Sequence, residues 1–255
     1  MITRTLTALA ASVGVICGLV SCSPNSNYGF DVAEVEVAGP GTLGISDAGQ
    51  HVKGVVVYFH GSDQTAQVIK DDRKHTDFFD PILRAGYAVV AADAGGNAFG
   101  NPQSQDAYRK LIDGARLKYA TGTVFYIAES MGGIAALTLL SEDTGRAVKG
   151  MAGISPLMGL PPAAQSVSYI AGSWGGRVPP SANPLGWEPI TFSDRQFKLY
   201  VPLGDKVIPP DASAKAFDKR FGSVAKVVLV NCEGDHVAVD CYRGDDVVKW
   251  MSSLG

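Results

Sequence analysis

Hydrophobic positions in this chain fall into two alternating patterns. Short apolar runs occur at 55–59, 87–92 and 124–128, and runs with a single Lys at 148–154, 197–203 and 225–230. All six predict strands, the first three buried on both faces. Between them lie longer stretches with helical spacing, at 64–84, 103–119, 133–140, 211–221 and 245–254. Residues 32–37 instead alternate apolar and acidic side chains, which predicts an edge strand with one wet face, broken by Gly39-Pro40-Gly41. Pro81 sits awkwardly inside 64–84 and is expected to split that helix, whose residues 71–74 read as a charged, solvated face. Buried strands separated by helices predict an α/β fold, a mostly parallel sheet with helices on both faces. One stretch breaks the rhythm. Residues 157–196 are rich in Pro, Gly and Ser, carry Tyr169, Trp174, Trp187 and Phe192, and form an insertion after a core strand.

In sheets of this kind the reactive loops lie at the carboxyl ends of the strands. The run 124–128 leads into Glu129-Ser130-Met131, with small residues, Ala128 and Gly132, two positions to either side of Ser130. That is the pattern of a nucleophile elbow, a strained strand-to-helix turn that holds a hydroxyl clear of the sheet. A simple helix cap at Ser130 is the plain alternative. A serine hydroxyl is a poor nucleophile at neutral pH and needs a base. Of the four histidines, His51 and His75 are expected at the surface and His60 belongs to a His60-Gly61 turn. His236 follows the last strand in Glu233-Gly234-Asp235-His236 and is the candidate base. Asp205 directly follows the penultimate strand, in Gly204-Asp205-Lys206 with Pro209 beyond, and is the candidate to orient the imidazole. Asp211 and Asp235 are its reserves.

Ser130, Asp205 and His236 occur in the order nucleophile, acid, base, which resembles the α/β-hydrolase superfamily across about residues 30–255. Ala128 departs from that superfamily's usual Gly. The resemblance implies catalysis by Ser130, Asp205 and His236 through an acyl-enzyme, with no metal or organic cofactor. It implies an oxyanion hole formed by the amides of Met131 and Ser62, with Asp63 as runner-up, and a cap at 157–196. His60 is then expected to brace the oxyanion loop. The activity expected is cleavage of a carboxylic ester, small-molecule or polymeric. A peptidase or an acyltransferase is the alternative on the same residues, and a non-catalytic surface binding lipoprotein is the alternative of a different class. Tyr169, Trp174 and Trp187 either line an apolar acyl or aryl pocket or form the core of the cap.

Composition narrows the remainder. With 255 residues, 46% hydrophobic and 18% charged, the chain suits one domain with a sizeable core. A formal net charge of −3, without Lys/Arg clusters interleaved with aromatics, argues against a nucleic-acid partner. At the N-terminus Arg4 precedes an uncharged run that ends in Leu19-Val20-Ser21-Cys22. The run reads as a secretory signal, and its end resembles the lipobox of bacterial lipoproteins. This divides the chain into a signal at 1–21, a tether at 22–30 and a hydrolase domain at 31–255, with a lipid on Cys22 holding the protein to a membrane. An ordinary cleaved signal and an uncleaved anchor helix are the alternatives, although the run is short for a span. Each places the domain outside the cytoplasm, where Cys232 and Cys241 are expected to pair across His236. The rival for these residues is a metal site of Cys232, His236, Asp240 and Cys241, which lacks the paired spacing of metal motifs.

Overall fold

The apolar runs become strands of one sheet, the last of them at its edge and partly exposed. The computed structural model describes residues 21–23 and 27–255; the expected signal segment and the Cys22 side chain lie outside them, apart from the backbone of 21–23. Among the described residues nine strands form the sheet: β1 (Ser21–Ser23), β2 (Val32–Val35), β3 (Thr42–Asp47), β4 (Gly54–Phe59), β5 (Tyr87–Ala92), β6 (Val124–Glu129), β7 (Val148–Ile154), β8 (Gln196–Pro202) and β9 (Lys226–Cys232), in the order β1-β2-β3-β5-β4-β6-β7-β8-β9. The six strands from β5 to β9 in that order run parallel, and the pairings among β1, β2, β3 and β5 are antiparallel.

Every residue of β4, β5 and β6 is buried, which is why these strands read as continuous rather than alternating apolar runs. Successive side chains still face opposite layers. Val55, Val57 and Phe59 pack with α3 (Pro102–Lys118), α4 (Gly132–Glu142) and α7 (Ala214–Phe221). Val56 and Tyr58 pack on the other side with α1 (Val68–Asp71), α2 (Arg73–Arg84) and α8 (Gly244–Ser252). The insertion holds α5 (Pro162–Gln165), α6 (Ser168–Ser173) and short 3₁₀ turns. Its Leu160, Ile170, Trp174 and Val178 close over Phe99, Met131 and Ile134, so this small cap sits beside Ser130. No helix among the described residues is long and apolar enough to cross a membrane.

Two local expectations are corrected. Strand β3 does not appear in the hydrophobic pattern because Gly44 and Ser46 interrupt its apolar positions. Gly44 is there for clearance: a Cβ at that point would lie 2.5 Å from the Tyr119 hydroxyl and 2.7 Å from Val37. The helix expected over 64–84 does break, but at Asp72 rather than Pro81. Asp72 adopts an extended conformation and caps α2 by accepting from the His75 amide at 3.1 Å, while Pro81 lies within α2.

Candidate active site

Ser130 stands at the turn from β6 into α4. Its φ of 47° lies in the left-handed region, which a residue with a side chain adopts only under constraint. The constraint is visible on both sides. Its amide donates to Ile154 O at 3.1 Å, and its carbonyl accepts from Leu157 N at 2.8 Å and Gly133 N at 3.1 Å. Gly132 packs so tightly that a Cβ there would come within 2.2 Å of Phe59 O, which explains the small residue two positions after the serine.

The structure brings together all three residues expected to form the proton relay. Ser130 Oγ lies 2.9 Å from His236 Nε2, and His236 Nδ1 lies 2.7 Å from Asp205 Oδ2. Ser130 and His236 are 106 residues apart in sequence. Asp205 is 5% exposed, and its other oxygen, Oδ1, accepts from the amides of Val207 at 2.9 Å and Ile208 at 2.8 Å. One carboxylate oxygen is thus anchored by backbone while the other orients the imidazole. Asp211 instead pairs with Lys215 at 3.0 Å, and Asp235 is exposed.

Ser62, Ser130 and Met131 line one cavity of about 490 Å³. Among the described residues, neither the Ser62 nor the Met131 amide meets a protein acceptor, so both are available to an oxygen in that cavity. The Asp63 amide is different: it is occupied by Asn97 Oδ1 at 2.7 Å, and Asn97 Nδ2 returns a bond to Asp63 Oδ1 at 2.8 Å. His60 is buried, with one ring nitrogen on Gly61 O at 2.7 Å and the other on Asp93 O at 3.0 Å, which ties the loop after β4 to the loop after β5. The rest of the cavity wall is mostly apolar, from Phe99, Leu157, Val167, Ile170, Val207 and Ile208, with Tyr169 at 65% exposed. Of the other aromatic residues, Trp174 packs inside the cap and donates to Phe99 O at 3.2 Å, and Trp187 packs on the main core near Phe192.

Cys232 and Cys241 are joined by a disulfide that brackets His236. Bonded to each other, they are not thiolates and supply no soft ligands to a metal.

Several supporting residues escape sequence reasoning. Val237, directly after His236, has a φ of 50°, unusual for a β-branched residue, and its amide is held by Ser155 Oγ at 3.0 Å. Ser155 itself has a φ of 45°. Nothing local in sequence marks this pair. His75, expected at the surface, is 2% exposed. Its Nδ1 lies 2.5 Å from Asp72 Oδ1 and its Nε2 2.8 Å from Glu129 Oε2. Glu129, the residue before the serine, is itself 2% exposed and also receives the hydroxyls of Tyr58 at 2.9 Å and Tyr242 at 2.6 Å. Burial acting alone would raise the Glu129 pKa, but the hydrogen bond and charge of His75, with the two hydroxyls, outweigh it and hold the carboxyl down at about 2.

Comparison with known proteins agrees with this fold. Residues 50–200 match the family model described as serine aminopeptidase, S33. Comparison with curated proteins finds no match. Among solved structures, brefeldin A esterase, a bacterial homologue of human hormone-sensitive lipase, superposes with a TM-score of 0.59 at 19% identity, over 96% of this chain and 80% of that one. A truncated carbohydrate esterase from gut microbiota gives 0.67 at 12% identity, over 92% and 99%. The Pyrococcus furiosus esterase Pf2001 gives 0.57 at 15% identity, over 92% and 88%. At these identities the structural likeness speaks for the fold, while the family match covers more than half of the chain: it belongs to the serine aminopeptidase S33 family and is a serine hydrolase of the α/β-hydrolase fold.

Proposed function

We propose that this protein is an exported carboxylic ester hydrolase working through Ser130, His236 and Asp205. The observation that carries the reading is the relay of 2.9 Å and 2.7 Å contacts opening onto a largely apolar cavity beside two available amides. Ser130 Oγ attacks the ester carbonyl as His236 Nε2 takes its proton, and Asp205 stabilises the resulting imidazolium through Nδ1–H. The amides of Ser62 and Met131 receive the negative oxygen; one such donor is worth roughly 3 kcal/mol in the transition state. His236 then protonates the leaving alkoxide. Water, deprotonated in turn by His236, releases the acid and restores Ser130. The apolar wall suits an acyl or aryl group, and the esterase neighbours fit the same chemistry.

A second reading, an aminopeptidase on the same machinery, is favoured by the family description and by Asp63, the charged side chain on the cavity wall, which suits a substrate ammonium. Two measurements test these. A fluorophosphonate probe is expected to label the folded protein and to fail on Ser130→Ala; absence of labelling on the wild type would refute the hydrolase mechanism. Hydrolysis of p-nitrophenyl esters of rising chain length should exceed that of aminoacyl p-nitroanilides, and the reverse order would favour the peptidase.

Export rests on the signal-like N-terminus and lipobox. Metabolic labelling with a fatty acid should mark the wild type and miss Cys22→Ala; an unlabelled, released wild type would leave ordinary secretion.

A further inference from the structure

We propose that Glu129 is the positioning residue of this active site: with His75 it forms a buried charged strut that holds the nucleophile turn, the oxyanion loop and the base loop in one register. The inference rests on the catalytic reading of Ser130, His236 and Ser62 given above and extends it to residues that touch no substrate.

The geometry starts one residue before the nucleophile. Glu129 ends β6, so any movement of its side chain is transmitted directly to Ser130. Its Oε1 accepts from Gln64 Nε2 at 2.5 Å, and Gln64 Oε1 in turn accepts from the Gly61 amide at 2.9 Å. Gly61 precedes Ser62, so the oxyanion donor is two hydrogen bonds away from the carboxylate. The other oxygen, Oε2, accepts from Tyr58, His75 and Tyr242. Tyr242 directly follows the disulfide-bonded Cys241 and closes the loop that carries His236. Lys74, beside His75, lies 4.3 Å over the Tyr242 ring and reaches Val237 O at 3.5 Å, next to the base. One carboxylate thereby joins three segments that meet nowhere else in sequence.

The choice of a charge is informative. Both nitrogens of His75 lie against carboxylate oxygens, and Nε2 also lies 2.9 Å from the Tyr58 hydroxyl, so the ring is fixed in its plane. A buried ionic cluster adds little to stability over a well-packed apolar one of the same volume. What it supplies is direction. A carboxylate receiving several aimed donors sets the position of each, and misplacing catalytic groups by about 1 Å can cost about 100-fold in rate. The pattern of bonds, with one arm on each part of the machinery, matches that use better than it matches simple core filling.

The test is kinetic. Glu129→Gln retains the shape and removes the charge. It is expected to lower kcat toward a p-nitrophenyl ester by about 30-fold or more, with KM within about threefold, because positioning acts on the transition state. The rate of fluorophosphonate labelling should fall by a similar factor in protein whose circular dichroism is native. Gln64→Met, at a half-buried position, cuts the oxyanion arm together with Gln64's bond from the Tyr58 hydroxyl; it should lower kcat by about 10-fold in protein that stays folded. That variant decides the matter if Glu129→Gln does not fold. A kcat within about threefold of wild type in either folded variant overturns the proposal, since a purely structural role would move Tm and leave turnover alone. A wild type that neither hydrolyses esters nor takes the probe sinks the catalytic reading instead, and the positioning role with it.

Discussion

Two histidines of this protein are built from nearly the same parts and are suited to opposite tasks. His236 has a carboxylate on Nδ1, Asp205 at 2.7 Å, and a hydroxyl on Nε2, Ser130 at 2.9 Å. His75 has a carboxylate on each nitrogen, with the Tyr58 hydroxyl also 2.9 Å from its Nε2. The first arrangement leaves one lone pair facing a proton that can be taken, which a general base requires. The second holds both nitrogens on fixed protein partners, so the ring ties α2 to the end of β6. Exposure follows the same division: the His236 side chain is 17% exposed at the cavity edge, and that of His75 is 2% exposed. A carboxylate beside an imidazole therefore does not by itself mark a catalytic base; the group on the far nitrogen decides.

That contrast breaks most sharply at the relay. His236→Ala is expected to cut kcat by about 10⁵-fold or more while the protein stays folded, as removal of a triad base does. Asp205→Asn should cost about 10⁴-fold, since the amide favours the wrong tautomer of the imidazole. Steady-state turnover with a soluble ester checks both. If either variant kept near wild-type turnover, the assignment of His236 as the reactive histidine would be wrong. His75→Gln should behave differently: it removes one arm of the Glu129 strut, so it should lower stability by about 3 kcal/mol in chemical denaturation and turnover by about 10-fold, far less than loss of the reactive histidine.

The acid limb sharpens the comparison further. Glu129 is held at about 2 in the folded protein against an ordinary value of 4.5. A depressed carboxyl contributes stability that is complete above its unfolded value and lost as pH falls through the folded one. Wild-type stability is therefore expected to drop between about pH 4.5 and pH 2 by as much as about 3 kcal/mol from this group. Glu129→Gln should lack that component, which denaturation midpoints across pH would reveal; identical acid profiles would contradict it. The smallest expected effect concerns the base loop. Replacing Cys232 and Cys241 by Ser should cost roughly 2.5 kcal/mol by the entropy of so short a loop. It should also loosen His236 enough to reduce turnover measurably, without abolishing it.

The two histidines also show what a sequence can disclose. His236 was legible because its evidence is local: a polar loop directly after an apolar strand, in the nucleophile-acid-base order of a known superfamily. Asp205 and Ser130 were legible for the same reason, each placed where its strand ends. The fold class followed from the buried runs at β4 to β8. His75 was misjudged because it lies in Asp71-Asp72-Arg73-Lys74-His75, a stretch whose charges read as solvated. Asp71, Asp72 and Arg73 are indeed exposed; beyond the break at Asp72, His75 and Thr76 turn inward. Glu129 was read merely as the residue before the nucleophile, since its partners lie 54, 65, 71 and 113 residues away. Strand β3 was hidden by Gly44, whose reason is the Tyr119 hydroxyl across the structure.

The sequence by itself determined the α/β architecture, the turn that presents Ser130, and which carboxylate and imidazole would meet it. These follow from periodicity and strand-end position, which are properties of adjacent residues. Only the tertiary structure decided that Asp63 spends its amide on Asn97 while Ser62 keeps its own. It alone decided that Tyr169, rather than Trp174 or Trp187, faces the cavity, and that a buried Glu129 is satisfied by His75 and two tyrosines. The physical reason is range. Burial and hydrogen-bond direction depend on groups brought together by packing, and a one-dimensional pattern carries no record of which distant donors will converge on one carboxylate.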